Sequence, residues 1–173
     1  MKPFRRYQST IHGNYRKAYL RCGAMTGLLM VAYAIVRLLM GSPMSSPVSY
    51  IVDAVLIVAV FLFTAYYRAA LPDNRITFKE AVLFGIGLSF VAAFVYAIAL
   101  GVVGLLSPQQ TVLFTVTMTP NEITLQDPQL HYWAFWWAIV AFVEVALLGS
   151  FAAFIAAICF RNEKPPLHQK DKE

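Results

Sequence analysis

The fold of this chain is decided by residues 75–106, which read RITFKEAVLFGIGLSFVAAFVYAIALGVVGLL. The stretch opens with charged and polar residues, and no Asp, Glu, Lys or Arg occurs between Ala81 and Leu106. This apolar run exceeds the roughly 20 residues that an α-helix needs to cross a bilayer core of about 30 Å. It contains no proline, so one continuous helix can satisfy every backbone group, as lipid requires. The stretch therefore predicts a membrane-spanning helix.

The start of this helix is encoded locally. Thr77 and Glu80 are three residues apart, the spacing of a capping box in which each side chain accepts a hydrogen bond from the backbone of the other. Ile76 and Ala81 occupy the positions of the hydrophobic contact that often accompanies such a cap. We therefore expect the helix to begin immediately after Thr77.

Apolar runs on both sides of this stretch predict an all-α, polytopic membrane protein with a four-transmembrane-helix bundle. The transmembrane domain covers residues 22–160, and its spans are expected at about residues 22–40, 48–67, 81–106 and 133–160. The first connection is short and contains two prolines, which favours a tight turn between spans one and two. These two spans are therefore expected to form an antiparallel helical hairpin.

The basic residues indicate which side of the membrane each connection faces. Thirteen of the 14 Lys and Arg residues lie in residues 1–21, 68–80 and 161–173, whereas residues 41–48 and 107–132 contain none. Lys and Arg are concentrated in cytoplasmic segments of membrane proteins. The sequence thus predicts a cytoplasmic N-terminal segment (1–21), a cytoplasmic tail (161–173) and one outer loop (107–132). Both termini are predicted to be inside (N-in/C-in).

The outer loop has a mixed character. Thr, Val and Phe partly alternate between Gln109 and Thr119, and a turn signal follows, so a short β-hairpin is one interpretation and a segment without strands is the alternative. The loop leads into a group of aromatic residues of the kind that marks a membrane interface: Tyr132, Trp133, Trp136 and Trp137.

Composition excludes several classes of protein. Only 13% of the residues are charged, against about 25% in soluble domains, which excludes a water-exposed surface. The net charge of +5 does not indicate nucleic-acid binding, because the basic residues flank the apolar spans. Cys22 and Cys159 are expected to be free thiols in a reducing compartment. No metal-ligand spacing, nucleophile elbow or phosphate-binding loop is found, so no metal, cofactor or enzymatic activity is predicted.

Small residues recur every four positions along span three, and similar stripes occur in spans one and four. Lipid gives apolar helices no hydrophobic reason to associate, so side chains that allow close approach favour helix–helix contact. We expect these stripes to pack the bundle internally, with a homodimer interface as the alternative. The predicted packing residues are Gly23, Gly27, Gly85, Ser89, Ala93, Ala97, Gly101, Gly149 and Ala153.

Three ionisable residues lie within the predicted spans: Arg37, Asp53 and Glu144. Insertion scales assign roughly 2.5–3.5 kcal/mol to such a charge at a helix centre, so a partner or a water-filled cavity is expected. Arg37 and Asp53 occur at matching depths of the helical hairpin, and we expect them to pair near the outer surface. An Arg37 side chain that extends to the interface is the alternative.

Glu144 lies deeper, about 17 Å into span four at about 1.5 Å per residue, and Tyr96 of span three is expected at a similar depth. One interpretation is a protonated Glu144 that donates a hydrogen bond to Tyr96, Ser89 or a backbone carbonyl. The other is a proton or cation site, since lone acids within a membrane are candidates for function.

The motif YYR at residues 66–68, the motif ITFKEA at residues 76–81 and the glycine-bearing helix after it resemble a bacterial family. This is the four-span membrane family catalogued as domain of unknown function 4199. That family similarly opens with a basic N-terminus and closes with a basic run, as residues 161–164 do here. The resemblance extends over about residues 20–164 and implies a protein of the bacterial cytoplasmic (inner) membrane. It implies a topology and no particular activity.

These observations favour a small integral membrane protein without catalytic activity, either an accessory or assembly subunit or a homo-oligomer. Its expected partners are membrane lipids, other membrane subunits or a second copy of itself. The main alternative is a small transporter or channel that uses Glu144 with Arg37 and Asp53. A membrane enzyme with chemistry in the outer loop is a further alternative.

Overall fold

A computed structural model of the chain describes residues 4–39, 50–71, 76–106 and 130–161. Within these residues the regular structure is entirely α-helical, without strands. The described residues form four helices: α1 (Phe4–Leu39), α2 (Tyr50–Ala69), α3 (Phe78–Leu106) and α4 (Leu130–Phe160).

Each helix contains a segment that is long and apolar enough to cross a membrane. These segments have 20 to 26 residues and mean hydropathies of 1.5 to 2.4; they are Tyr15–Arg37, Tyr50–Ala69, Phe78–Val103 and Ala138–Phe160. Large apolar side chains cover the outside of the bundle, and Leu62, Leu147 and Phe151 are 64–67% exposed. A surface of this kind suits contact with lipid rather than water. The prediction of four helices that are long and apolar enough to span a membrane is confirmed.

α3 is the central helix of the bundle. Its most extensive contact is with α4 and its second is with α1, whereas α2 packs mainly against α4. At one end of the bundle, Tyr15 of α1 contacts both Tyr67 near the end of α2 and Phe84 near the start of α3. α1 and α2 are therefore antiparallel, as expected, but the larger partner of α1 is α3.

We refer to this end of the bundle, where α1 and α3 begin their apolar segments and α2 and α4 end, as the basic end. The opposite end is the far end. Four basic residues mark the basic end, one on or beside each helix: Arg21, Arg68, Lys79 and Arg161.

Small residues face each other along the seam between α3 and α4. Gly85 lies so close to Ala153 that a methyl group in place of its hydrogen would overlap the Ala153 Cβ and approach the Cα to 3.1 Å. At Gly101, nearer the far end, the same methyl group would lie 3.8 Å from the Ala138 Cβ, an ordinary contact. The seam is therefore tightly packed near the basic end and looser near the far end.

α1 approaches α3 equally closely through two glycines one turn apart. A methyl group on Gly23 would lie 2.7 Å from the Leu88 carbonyl oxygen and from the Val91 Cβ. One on Gly27 would lie 2.7 Å from the Val95 Cβ. Such close backbone approach maximises van der Waals contact, which is what associates helices in lipid.

An aromatic cluster of Tyr15, Tyr19, Tyr67 and Phe84 joins three helices at the basic end. The rings of Tyr67 and Phe84 stack with centroids 4.5 Å apart, and Tyr15 contacts both rings edge-on at 5.7 and 6.1 Å. The Tyr15 hydroxyl also donates to the Glu80 carbonyl oxygen at 3.4 Å. Edge-on and stacked aromatic pairs add stability beyond the area they bury.

The predicted capping box at the start of α3 is confirmed. The Glu80 backbone N–H donates to the Thr77 Oγ1 at 3.3 Å, and the Thr77 N–H donates to the Glu80 Oε2 at 3.2 Å. Ile76 and Ala81 are both buried in one small apolar cluster with Ala157 of α4. The cap thus fixes the start of α3 against α4.

The helices extend beyond several of the spans expected from the sequence. α1 begins at Phe4, so most of the basic segment 1–21 continues the first helix. α4 begins at Leu130, three residues before the expected start of span four. The β-hairpin considered for the outer loop falls on residues 107–129, which lie outside the described residues.

Candidate functional site

Side chains from all four described helices come within electrostatic range of Tyr96 of α3, and we term this group the polar cluster: Arg37 of α1, Asp53 of α2, Tyr96 itself and Glu144 of α4. The charges of Arg37, Asp53 and Glu144 all act on the Tyr96 hydroxyl, as does Tyr33 of α1. The charge of Asp53 also acts on Glu144. The four residues singled out from the sequence therefore lie in one neighbourhood.

The register between α3 and α4 explains why Tyr96 and Glu144 come together. Ser89 of α3 faces Gly149 of α4, and the two helices run in opposite directions. Seven residues further along α3, Tyr96 is level with residue 142, which is about 3 Å along the axis from Glu144. Tyr96 and Glu144 therefore lie at similar depths in the bundle.

α2 brings Asp53 to the same level. Leu56 of α2 lies against Gly149, with its Cδ2 3.3 Å from where a methyl group on that glycine would stand. Asp53 precedes Leu56 by about one turn and lies in the first turn of α2. The partial positive charge of a helix N-terminus favours a carboxylate at that position.

The four side chains differ in burial. Arg37 and Tyr96 are only 4% and 6% exposed, Asp53 is half-buried, and Glu144 is exposed on the side of the bundle. The burial of Arg37 argues against a side chain that extends to the interface. It favours a guanidinium held inside the bundle near carboxylates, because a buried charge is costly unless it is paired. A direct Arg37–Asp53 ion pair stays a prediction.

Glu144 occupies a different environment from the one expected. The apolar segment of α4 begins at Ala138, so Glu144 lies about 9 Å into it, in the half nearer the far end. Ser89, one of the three partners considered for a protonated Glu144, is buried in the α3–α4 seam, where its hydroxyl donates to the Gly85 carbonyl oxygen at 2.7 Å. Ser89 follows the usual pattern in which a helical serine bonds one turn back.

Glu144 belongs to an exposed stripe that we term the outer face of α4. Its other members are apolar and 45–67% exposed: Val140, Val143, Leu147 and Phe151. One carboxyl group therefore interrupts a surface that is otherwise suited to lipid.

The residues predicted to pack the helices lie between helices of the same chain. Gly23 and Gly27 lie in the α1–α3 contact, whereas Gly85, Gly149 and Ala153 lie in the α3–α4 seam. Of the remaining predicted residues, Ser89 and Ala93 are buried and Ala97 and Gly101 are half-buried. The described part of the small-residue stripes is thus occupied by internal packing.

No metal-binding group emerges from the part of the chain that is described: it contains no set of three His, Cys, Asp or Glu side chains placed to hold an ion. Cys22 is half-buried and Cys159 is exposed, and both are free thiols, as predicted.

The basic-end aromatic cluster was missed by sequence analysis. Tyr15 and Tyr19 lie in the segment assigned to the cytoplasm, before the expected start of the first span. Their spacing of one turn was the available signal, because residues four apart share a face of a helix. The side chains of Tyr15 and Tyr19 show that the first helix already packs in the bundle before Cys22.

Comparisons of the chain with family models, curated proteins and solved structures find no match. The resemblance to the bacterial four-span family stays a prediction.

Proposed function

We propose that this protein is a non-catalytic subunit of a larger complex in a bacterial cytoplasmic (inner) membrane, with both chain termini in the cytoplasm. The distribution of Lys and Arg supports this orientation. The described start of α1 and end of α4 lie at the same end of the bundle, which is compatible with both termini being on one side.

The observation that carries the proposal is the exposure of Glu144 within an apolar segment. A charged side chain within an apolar span is costly, up to roughly 2.5–3.5 kcal/mol at the helix centre, and ionisable residues within membranes almost always face protein or water. In an isolated bundle this carboxyl group would face lipid. A neighbouring protein chain over the outer face of α4 removes that cost.

The packing of the bundle indicates where such a neighbour binds. The glycines that permit close helix approach already face other helices of the same chain, with Gly85 against Ala153 and Gly23 against Val91. We therefore assign contact with other chains to the exposed sides of the helices. Of these exposed sides, the outer face of α4 carries the Glu144 carboxyl group.

The test is the composition of the native particle. The protein is tagged at its C-terminus, expressed at its natural level and extracted in a mild detergent, and its protein mass is measured by light scattering corrected for detergent. We expect a mass well above the 19.4 kDa of one chain, with other membrane proteins in defined ratio. A second tag on a co-expressed copy separates a mixed complex from a homo-oligomer. A monomer that carries nothing with it contradicts the proposal.

A second candidate is a small transporter or channel, and a specific observation favours it. The polar cluster takes one group from each of the four helices and spans the bundle from buried Arg37 to exposed Glu144. Intramembrane ionisable residues mark proton and ion pathways in many transporters.

Flux measurements test this second function. Purified protein in vesicles is given a proton or sodium gradient, and the variants Glu144→Gln and Asp53→Asn are compared with Leu147→Gln, which adds the same amide one turn away. A transporter loses flux in the first two variants and keeps it in the third. Equal, background-level flux in all four proteins excludes this function for those ions.

A further inference from the structure

We propose that the outer face of α4, together with the first turn of α2, docks a transmembrane helix of a different protein that carries one Lys or Arg at the depth of Glu144. This inference rests on the proposed function, because it names the chemistry of the partner that a subunit would meet.

The charge balance of the polar cluster points to a cationic partner. Its described side chains include two carboxyl groups, Asp53 and Glu144, and one guanidinium, that of Arg37. With both carboxyl groups ionised, one negative charge remains. The exposed carboxyl group is Glu144, so the balancing charge is expected from outside the bundle. A Lys or Arg side chain would supply it with a charge-assisted hydrogen bond.

The shape of the surface suits a helix. Val140, Glu144, Leu147 and Phe151 are spaced by three or four residues, so they form one continuous stripe along α4. Asp53 lies on the neighbouring helix: α2 packs against α4, and Asp53 is near enough to Glu144 for its charge to act there. A helix seated along the stripe would place one basic side chain within reach of both carboxyl groups while its apolar residues cover Leu147 and Phe151.

A second copy of this chain is a poorer partner for this face. Among its described cations the nearest to that depth is Arg37, which is 4% exposed and therefore enclosed within its own bundle. The other described basic side chains lie at the basic end. On the described surface, a second copy offers apolar residues to Glu144 and no accessible cation at that depth.

The experiment uses designed transmembrane peptides as probes. A leucine- and alanine-based helix of about 22 residues carries at one position a Lys, a Leu or a Glu at the depth of Glu144. Each peptide is mixed with the purified full-length protein in phosphatidylcholine vesicles, and binding is followed by energy transfer between fluorophores on the two molecules. The protein variants are wild type, Glu144→Gln, Asp53→Asn and, as a control on the exposed side of α1, Leu29→Gln.

We expect the Lys peptide to bind wild-type protein about 3- to 15-fold more tightly than the Leu peptide, the range that interhelical polar contacts produce in membranes. Glu144→Gln should remove most of this preference and Asp53→Asn part of it, whereas Leu29→Gln, a change at an exposed position of α1 away from this face, should keep it. The Glu peptide should bind least. Circular dichroism shows whether each variant is folded. If Glu144→Gln does not fold, the comparison of Asp53→Asn with wild type still tests the inference.

Three results would overturn the inference: equal binding of the Lys and Leu peptides, a Lys preference that survives Glu144→Gln, or tighter self-association of the protein that depends on Glu144.

The failure of the proposed function can be distinguished from the failure of this inference. Native partners that stay bound to Glu144→Gln protein leave the subunit function standing and remove this docking face. A monomer in native membranes that nevertheless prefers the Lys peptide removes the subunit function and leaves the chemistry of the face intact.

Discussion

The two ends of the bundle are built from different contacts. Near the basic end, Gly85 meets Ala153 with no room for a methyl group, the rings of Tyr67 and Phe84 stack, and the first turn of α3 is capped. Nearer the far end, Gly101 has space beside it and the polar cluster takes the place of close apolar packing. Stability and candidate function are therefore separated along the axis of the bundle.

The physical reason lies in the solvent. In lipid, helices gain little from burying apolar surface, so stability comes from close van der Waals contact and from satisfied polar groups. The basic end provides both. The polar cluster contributes less to stability, because it buries the charged Arg37 and leaves the Glu144 carboxyl group exposed to lipid. Features that cost stability are retained where they serve another role, which makes the far half the place to look for function.

The largest effect is expected from Gly85→Ala. The added methyl group would overlap the Ala153 Cβ, with the Ala153 Cα 3.1 Å away, so the backbones of α3 and α4 would have to separate. Overpacking costs typically about 1–3 kcal/mol, and we expect the upper end of that range because backbone rather than a flexible side chain must move. The free energy of unfolding is measured by titrating detergent-solubilised protein with SDS.

Gly101→Ala is the matched control, because it makes the same change on the same helix face where a methyl group would lie 3.8 Å from Ala138. It should alter the free energy of unfolding by less than about 0.5 kcal/mol. Equal destabilisation by the two variants would show that the seam is uniformly tight and would remove the contrast between the two ends.

Phe84→Ala should have the next largest effect. Phe84 is fully buried and stacks on Tyr67. Removing a volume of about 100 Å³ at about 24 cal/mol per Å³ of residual cavity predicts a loss of about 2 kcal/mol. Phe94→Ala on the same helix is the control, since Phe94 is 60% exposed and should contribute little. A loss of similar size in both variants in the SDS titration would contradict the assignment of stability to the aromatic cluster.

Residues that act locally could be predicted from the sequence. The four apolar runs identified the helices, since spanning a bilayer is a matter of length and composition. Thr77 and Glu80 identified the start of α3, since a cap depends only on residues three positions apart. The aromatic cluster could not be predicted, because it joins Tyr15, Tyr67 and Phe84 from three helices.

The surroundings of the candidate site were harder to predict. The regular spacing of small residues predicted a packing face on α3, and Gly85 does lie in a helix seam. α4, in contrast, has only a partial stripe of small residues that includes Gly149 and Ala153, and apart from Glu144 it is apolar on all sides, so hydrophobicity gives little periodic signal for its buried face. The exposure of Glu144 therefore became evident only when α4 was seen packed against α2 and α3.

A smaller effect is expected at the cap. Thr77→Ala removes the acceptor of the Glu80 N–H at the start of α3, and loss of an N-cap side chain costs about 1 kcal/mol. Lys79→Ala changes an exposed residue in the same turn and should leave stability nearly unchanged. If native-state hydrogen exchange shows no faster opening of the first turn of α3 in Thr77→Ala, the cap does not contribute to the stability of the basic end.

The smallest effect on stability is expected from Glu144→Gln, which tests the far half directly. The substitution conserves size and replaces an exposed carboxyl group with an amide, so the free energy of unfolding of the isolated protein should change by less than about 0.5 kcal/mol. Leu147→Ala, at a similarly exposed position one turn along α4, sets the baseline for the same SDS titration. A loss above about 1 kcal/mol in Glu144→Gln alone would make the polar cluster a structural element of the monomer. An unchanged stability means that the fold does not need this carboxyl group, although an apolar segment bears the cost of carrying it. A functional role, either in docking a neighbouring chain or in ion transport, is then the remaining physical reason for its presence.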